Sequence, residues 1–146
     1  MKLSTKIRYG MRALLDLALN YTDKPVLLKD IAKRQEISFK YLDRIFSSLK
    51  AAGLIKSIRG AKGGFVLSRL PSEIKLFDIV HALEGPINLV ECVDNKSYCK
   101  RSNACVVREV WCELENVIAD ELKSITLQDL VEKENRKRVS LAMYHI

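Results

Sequence analysis

Residues 28–68 constrain the fold more than any other stretch of this chain. Residues 28–34 read as a short helix with Ile31 and Ala32 inward, and Gln35-Glu36-Ile37 reads as a turn. Ser38 is a suitable N-cap for a helix over 39–51, where Leu42, Ile45, Phe46 and Leu49 recur every three or four residues. Gly53 follows as a C-terminal stop. Leu54-Ile55-Lys56-Ser57-Ile58 then alternates like a strand, and Phe65-Val66-Leu67-Ser68 reads as its returning partner. Between them lies a tight basic connection, Arg59-Gly60-Ala61-Lys62-Gly63-Gly64. A helix pair followed by a hairpin is the order of a winged helix-turn-helix. The expected fold class is therefore mostly α with one small β-hairpin.

The flanking segments are helical. Over residues 4–20, Ser4 is the N-cap, and Ile7, Met11, Leu14, Leu15, Ala18 and Leu19 form one apolar face. Asp23-Lys24-Pro25 breaks this pattern. Pro71 separates the hairpin from a helix near 75–84, with Leu76, Ile79, Val80 and Leu83 inward, which Gly85-Pro86 ends. Residues 106–123 form the strongest helix, striped by Val107, Val110, Trp111, Leu114, Val117, Ile118 and Leu122. Such a stripe needs a partner surface. A second copy is the simplest one, because it also sets two reading helices across a palindromic duplex. Thr126-Leu127-Gln128-Asp129 resembles a capping box opening one last turn. The expected organisation is a reading head (1–70), a connecting helix and loop (71–91), a cysteine loop (92–105), a dimerisation helix with its cap (106–131) and a charged, flexible tail (132–146).

Charge is unevenly spread. Residues 1–70 carry 15 Lys+Arg against 5 Asp+Glu, whereas residues 71–146 carry 10 against 13. A balance of +10 on one half suggests that this half meets a polyanion such as double-stranded DNA. Ser38, Lys40, Tyr41, Asp43 and Arg44, at the start of the 39–51 helix, stand where major-groove readers stand. Arg59, Gly60 and Lys62 at the hairpin tip suit a phosphate contact or entry into a minor groove. The bland alternative is a solvated turn whose glycines only supply positive φ. There is no G-x-x-x-x-G-K-[ST] pattern, which speaks against a nucleotide site. The chain shows no apolar signal region and no run of about 18 apolar residues, so a cytoplasmic protein with no membrane segment is expected.

Three of the four cysteines, Cys92, Cys99 and Cys105, fall in a stretch of turn formers and charges. Reduced, clustered thiols suit soft metals or redox work. Lys100, Arg101 and Arg108 nearby favour the thiolate form and offset the charge of a cluster. The spacing C-x6-C-x5-C lacks the short steps typical of structural zinc, and a disulfide leaves one cysteine unpaired. An iron–sulfur cluster with an unusual fourth ligand is the first reading; zinc and redox or inert thiols are the others. Cys112, seven residues beyond Cys105, lies about 10 Å further along the helix and reads as a core or surface residue.

Several stretches together resemble the IscR family of bacterial iron–sulfur cluster regulators. They are M-K-L-S-T-K-I-R-Y-G-M-R-A-L-L-D-L-A-L, Ile37-Ser38 through Tyr41-Leu42, Arg59 to Gly64, A-L-E-G-P at 82–86, the three cysteines, and Trp111 followed by Ser124-Ile125-Thr126-Leu127. The match covers about residues 1–131. The resemblance implies a homodimeric winged-helix transcription factor with a two-iron or four-iron cluster on Cys92, Cys99 and Cys105. It also implies DNA contact by the helix beginning at Ser38 and by the hairpin at Arg59. At the place of the fourth ligand, two positions depart from the pattern. Arg108 stands where better-known members carry a histidine ligand, and Arg8 stands where some nitric-oxide-sensing relatives carry a carboxylate. Glu109, Asp94, Glu91, a small thiol or a group from the partner subunit remain as fourth ligand. Lys40 and Asp43 also differ from the base readers of the best-known relative.

Two rivals come from other functional classes. One is a winged-helix regulator or protein-docking module without a cluster, controlled by thiol modification, zinc or a partner. The other is an oxidoreductase. The second is disfavoured by the absence of C-x-x-C and of a nucleotide fingerprint. The chain has only two histidines, of which His81 reads as structural and His145 as solvated.

Overall fold

The computed structural model describes residues 2–22 and 24–145; Asp23 of the expected break and Ile146 of the expected tail lie outside them. The first helix, α1 (Thr5–Asn20), starts where Ser4 predicts, its Oγ accepting the Ile7 N–H at 3.1 Å. The Ser4 hydroxyl also donates to Glu84, which ties this end to a later helix. Then come α2 (Leu28–Gln35) and α3 (Phe39–Ala51). Glu36 joins them in the left-handed conformation, φ 55°, which makes the turn tight. Ser38 caps α3 through the Tyr41 N–H at 3.1 Å.

The hairpin is β1 (Ile55–Ile58) against β2 (Gly64–Leu67), antiparallel, with Ile55 opposite Leu67 and Ile58 opposite Gly64. Val26 adds a one-residue third rung, exchanging two hydrogen bonds with Phe65 at 3.0 and 2.8 Å. That rung requires glycine at 64. A Cβ there would lie 2.6 Å from the Val26 oxygen, on a backbone already at φ 149°.

Beyond the hairpin lie α4 (Leu76–Glu84), α5 (Glu91–Asp94), a 3-10 turn at Lys96–Tyr98, α6 (Val106–Ser124) and α7 (Leu127–Tyr144). One core runs through the molecule. Leu14 and Leu17 of α1, Leu42, Ile45, Phe46 and Leu49 of α3, Ile79 and Leu83 of α4 and Leu127 of α7 are all buried in it. The reading head therefore shares its core with α4 and the start of α7.

Helix α7 differs from the expectation of one turn and a tail. It runs 18 residues, to Tyr144. The sequence explains this physically. The capping box starts the helix, residues 127–144 contain no proline or glycine to stop it, and Gln128–Glu132 and Glu134–Arg138 pair at i,i+4. A high density of charge suggests a tail, yet Glu, Lys and Arg lose little rotamer freedom in a helix and suit a solvated one equally well.

The box itself is closed in both directions. The Asp129 carboxylate accepts the Thr126 N–H at 2.8 Å, and the Thr126 hydroxyl oxygen accepts the Asp129 N–H at 3.1 Å. The Thr126 backbone N–H, then its side chain, hold the Asp129 carboxyl below its ordinary 3.8. A carboxyl lowered on folding stabilises above its ordinary value, and that stabilisation is lost as pH falls through the folded value. Asp129→Ala is therefore expected to lower the melting temperature at pH 7, by an amount that shrinks as pH falls below the ordinary carboxylate value. A gap that does not narrow as the pH is lowered would contradict this.

Candidate DNA interface and cysteine loop

The exposed side of α3 opens on Ser38, Lys40, Asp43 and Arg44, all exposed, with Tyr41 half-buried. The hairpin tip presents Arg59, Gly60 and Lys62, also exposed. Two links hold these elements together. One is the short turn Ala52-Gly53-Leu54 between α3 and β1, with Gly53 at φ 77°. The other is a hydrogen bond that Lys50 Nζ donates to the Ser57 Oγ at 2.8 Å.

The first turn of α3 is buttressed from α1. Tyr41 meets Tyr9 edge-on at 6.0 Å, and the Arg8 and Arg12 guanidinium groups lie 5.8 and 5.5 Å from the Tyr9 ring centre. Further back, Phe46 of α3 meets Phe65 of β2 at 5.0 Å and 78°. That contact joins helix and hairpin through the core.

A clamp that the sequence reading does not find sets α2 against α1. Asp16 is 3% exposed, yet it lies on α1 among core residues. Its carboxylate accepts Arg34 Nη2 at 2.6 Å, Arg34 Nε at 3.0 Å and Gln35 Nε2 at 2.9 Å. The hydrogen bond to Asp16 raises the Arg34 pKa above its ordinary value. The apolar face expected for α1 does not flag it: the buried residues are Ile7, Gly10, Ala13, Leu14 and Leu17, a face turned from the expected one, and Asp16 lies among them.

Cys92 and Cys105 are half-buried, Cys99 is exposed, and all are free thiols. Cys112 is half-buried on α6. The loop is partly ordered by its own contacts. Ser102 is buried and its hydroxyl donates to the Cys99 oxygen at 2.8 Å. Arg108 Nε donates to the Cys92 oxygen at 2.7 Å, and its Nη2 to the Val93 oxygen at 3.1 Å. The donor set of three thiols on one loop fits a soft-metal centre in kind. Among the described residues no three His, Cys, Asp or Glu side chains are gathered closely enough to hold a metal ion.

The expected stripe of α6 divides in two. Val107, Val110, Leu114 and Val117 are exposed, whereas Trp111, Ile118 and Leu122 are half-buried. Leu122 packs against the common core.

Comparison with known proteins decides the family. The Rrf2 profile, described as an iron-dependent transcriptional regulator, matches residues 3–133. The chain belongs to the Rrf2 family. It is 42% identical to the protein rrf2 of Nitratidesulfovibrio vulgaris over 131 residues, 90% of this chain and 87% of that one. Its fold is similar to that of CymR, the global cysteine regulator of B. subtilis. There the TM-score is 0.75 at 39% identity, covering 91% of this chain and 98% of that one. It is equally similar to T. potens IscR, with a TM-score of 0.75 at 39% identity, covering 92% and 88%. This Rrf2-family chain is a DNA-binding transcriptional regulator with a winged-helix fold, and not an enzyme. No helix among its described residues is long and apolar enough to cross a membrane.

Proposed function

We propose that this protein is a cytoplasmic homodimer that binds a palindromic operator, with its affinity set by an iron–sulfur cluster on Cys92, Cys99 and Cys105. The observation that carries this reading is the pairing of a basic reading face with three free thiols on a single loop that α6 holds. Lys40, Arg44, Arg59 and Lys62 bind phosphates or bases, and Tyr41 and Asp43 lie between them on the same helix turn. The bare face of α6 meets its copy. When bound, the cluster supplies a charged group sensitive to oxidation and to small reactive ligands. The chain's own residues hold the loop, expose Cys99 and carry any change to α6.

A second reading keeps the regulator but drops the cluster, so that the thiols themselves are the sensor. The ungathered thiols, Arg108 in place of a histidine ligand, and the likeness to a cysteine regulator favour it.

An anaerobic visible spectrum with iron and sulfide assays separates the two. Charge-transfer bands with matched iron and sulfide support the cluster. A protein still colourless after anaerobic reconstitution sinks the cluster and leaves the thiol reading. For the DNA face, Arg59→Ala with Lys62→Ala is expected to reduce the slope of log affinity against log salt by about 1–2, close to one per phosphate contact. An unchanged slope would remove the hairpin from the interface.

A further inference from the structure

Arg108 stands where helix electrostatics disfavours it. It lies in the first turn of α6, and a cation there opposes the positive end of the helix dipole. Its guanidinium is nevertheless engaged twice, on the carbonyls of Cys92 and Val93. Both belong to α5, whose last carbonyls have no partner within so short a helix. Two turns along, Glu115 is 9% exposed and accepts the Leu89 N–H at 2.7 Å. Residues seven apart share a helix face. One face of α6 thus grips residues 89–93 at both ends, and Val110 and Val117 of the bare apolar face lie on the far side of the same helix.

We propose that Arg108 is a positioning residue. Its forked hydrogen bond fixes the Cys92 turn on α6, and a change at the loop thiols reaches the exposed α6 face by making or breaking that contact. This rests on reading the loop as the sensor. Such transmission needs two arrangements of the loop with different DNA affinity. Arginine suits the task because its planar fork spans adjacent carbonyls, which a lysine ammonium does not.

The test uses the full chain, reduced, with iodoacetamide as probe and mass spectrometry to resolve each cysteine. Cys112 is the internal reference. In Arg108→Gln, Cys92 labelling is expected to accelerate by about tenfold or more, with Cys112 unchanged, because loss of two charge-assisted hydrogen bonds favours local opening. The ratio of operator affinities before and after labelling, large in the natural protein, is expected to shrink towards one. Arg108→Lys keeps the charge and stem, tests the fork if Arg108→Gln fails to fold, and should label at an intermediate rate. Labelling of Cys92 at the natural rate in both variants overturns the proposal. Faster labelling with an undiminished affinity ratio overturns the transmission. A natural protein whose affinity ignores labelling sinks the sensor reading instead, and the labelling rates still decide whether Arg108 holds the turn.

Discussion

Val110→Glu combined with Val117→Glu is expected to give a folded monomer whose operator affinity is lower by about 10²–10⁴-fold. In the proposed dimer two half-sites are linked: a second head bound through the first acts at a high effective concentration, and that advantage vanishes in the monomer. Val110 is 46% and Val117 64% exposed, and neither belongs to the core, so the single chain has no need of them to fold. Together with Val107 and Leu114 they follow the i, i+3, i+7 spacing of a helix seam. Two carboxylates placed there would be buried without partners in the proposed dimer. Sedimentation and operator binding measure both effects. A double variant that remains dimeric would move the interface elsewhere.

Phe46→Ala is expected to cost about 3–5 kcal/mol, the range for emptying a large buried aromatic site. Domains of this size are stable by only about 5–15 kcal/mol. Phe46 is fully buried and carries the edge-on contact to Phe65. Its loss therefore loosens α3 and the hairpin together, so DNA binding is expected to fall with the melting temperature. Chemical denaturation gives the stability change. A loss below about 1 kcal/mol would mean that the site collapses and refills.

The reading head is legible in the sequence because its signals are local. Ser4 and Ser38 cap where their side chains predict, the apolar spacing of α3 is regular, and the glycine-rich tip fits only a tight connection. Helix α7 is obscured because a run such as Lys133 to Arg138 is equally compatible with a solvated helix and with a tail. The contacts made by Asp16, Arg108 and Glu115 join segments distant in sequence. Both Asp16 and Glu115 lie off the apolar faces that periodicity draws, so their burial shows only once the helices are packed. The division of α6 into a bare face and a packed face has the same origin, since both halves of its stripe are apolar.

Control of DNA binding by the cysteine loop is tested by operator affinity measured anaerobically on one preparation in two states. One state has the loop thiols reduced and free; the other is reconstituted with iron and sulfide, with both assayed. The duplex is one selected by the protein from a random pool, and Cys92→Ala is carried through in parallel. At least about a tenfold difference between the states is expected, equivalent to about 1.4 kcal/mol of coupling, and none in Cys92→Ala. Equal affinities in both states, or a Cys92→Ala protein that binds like the reconstituted natural one, would contradict it.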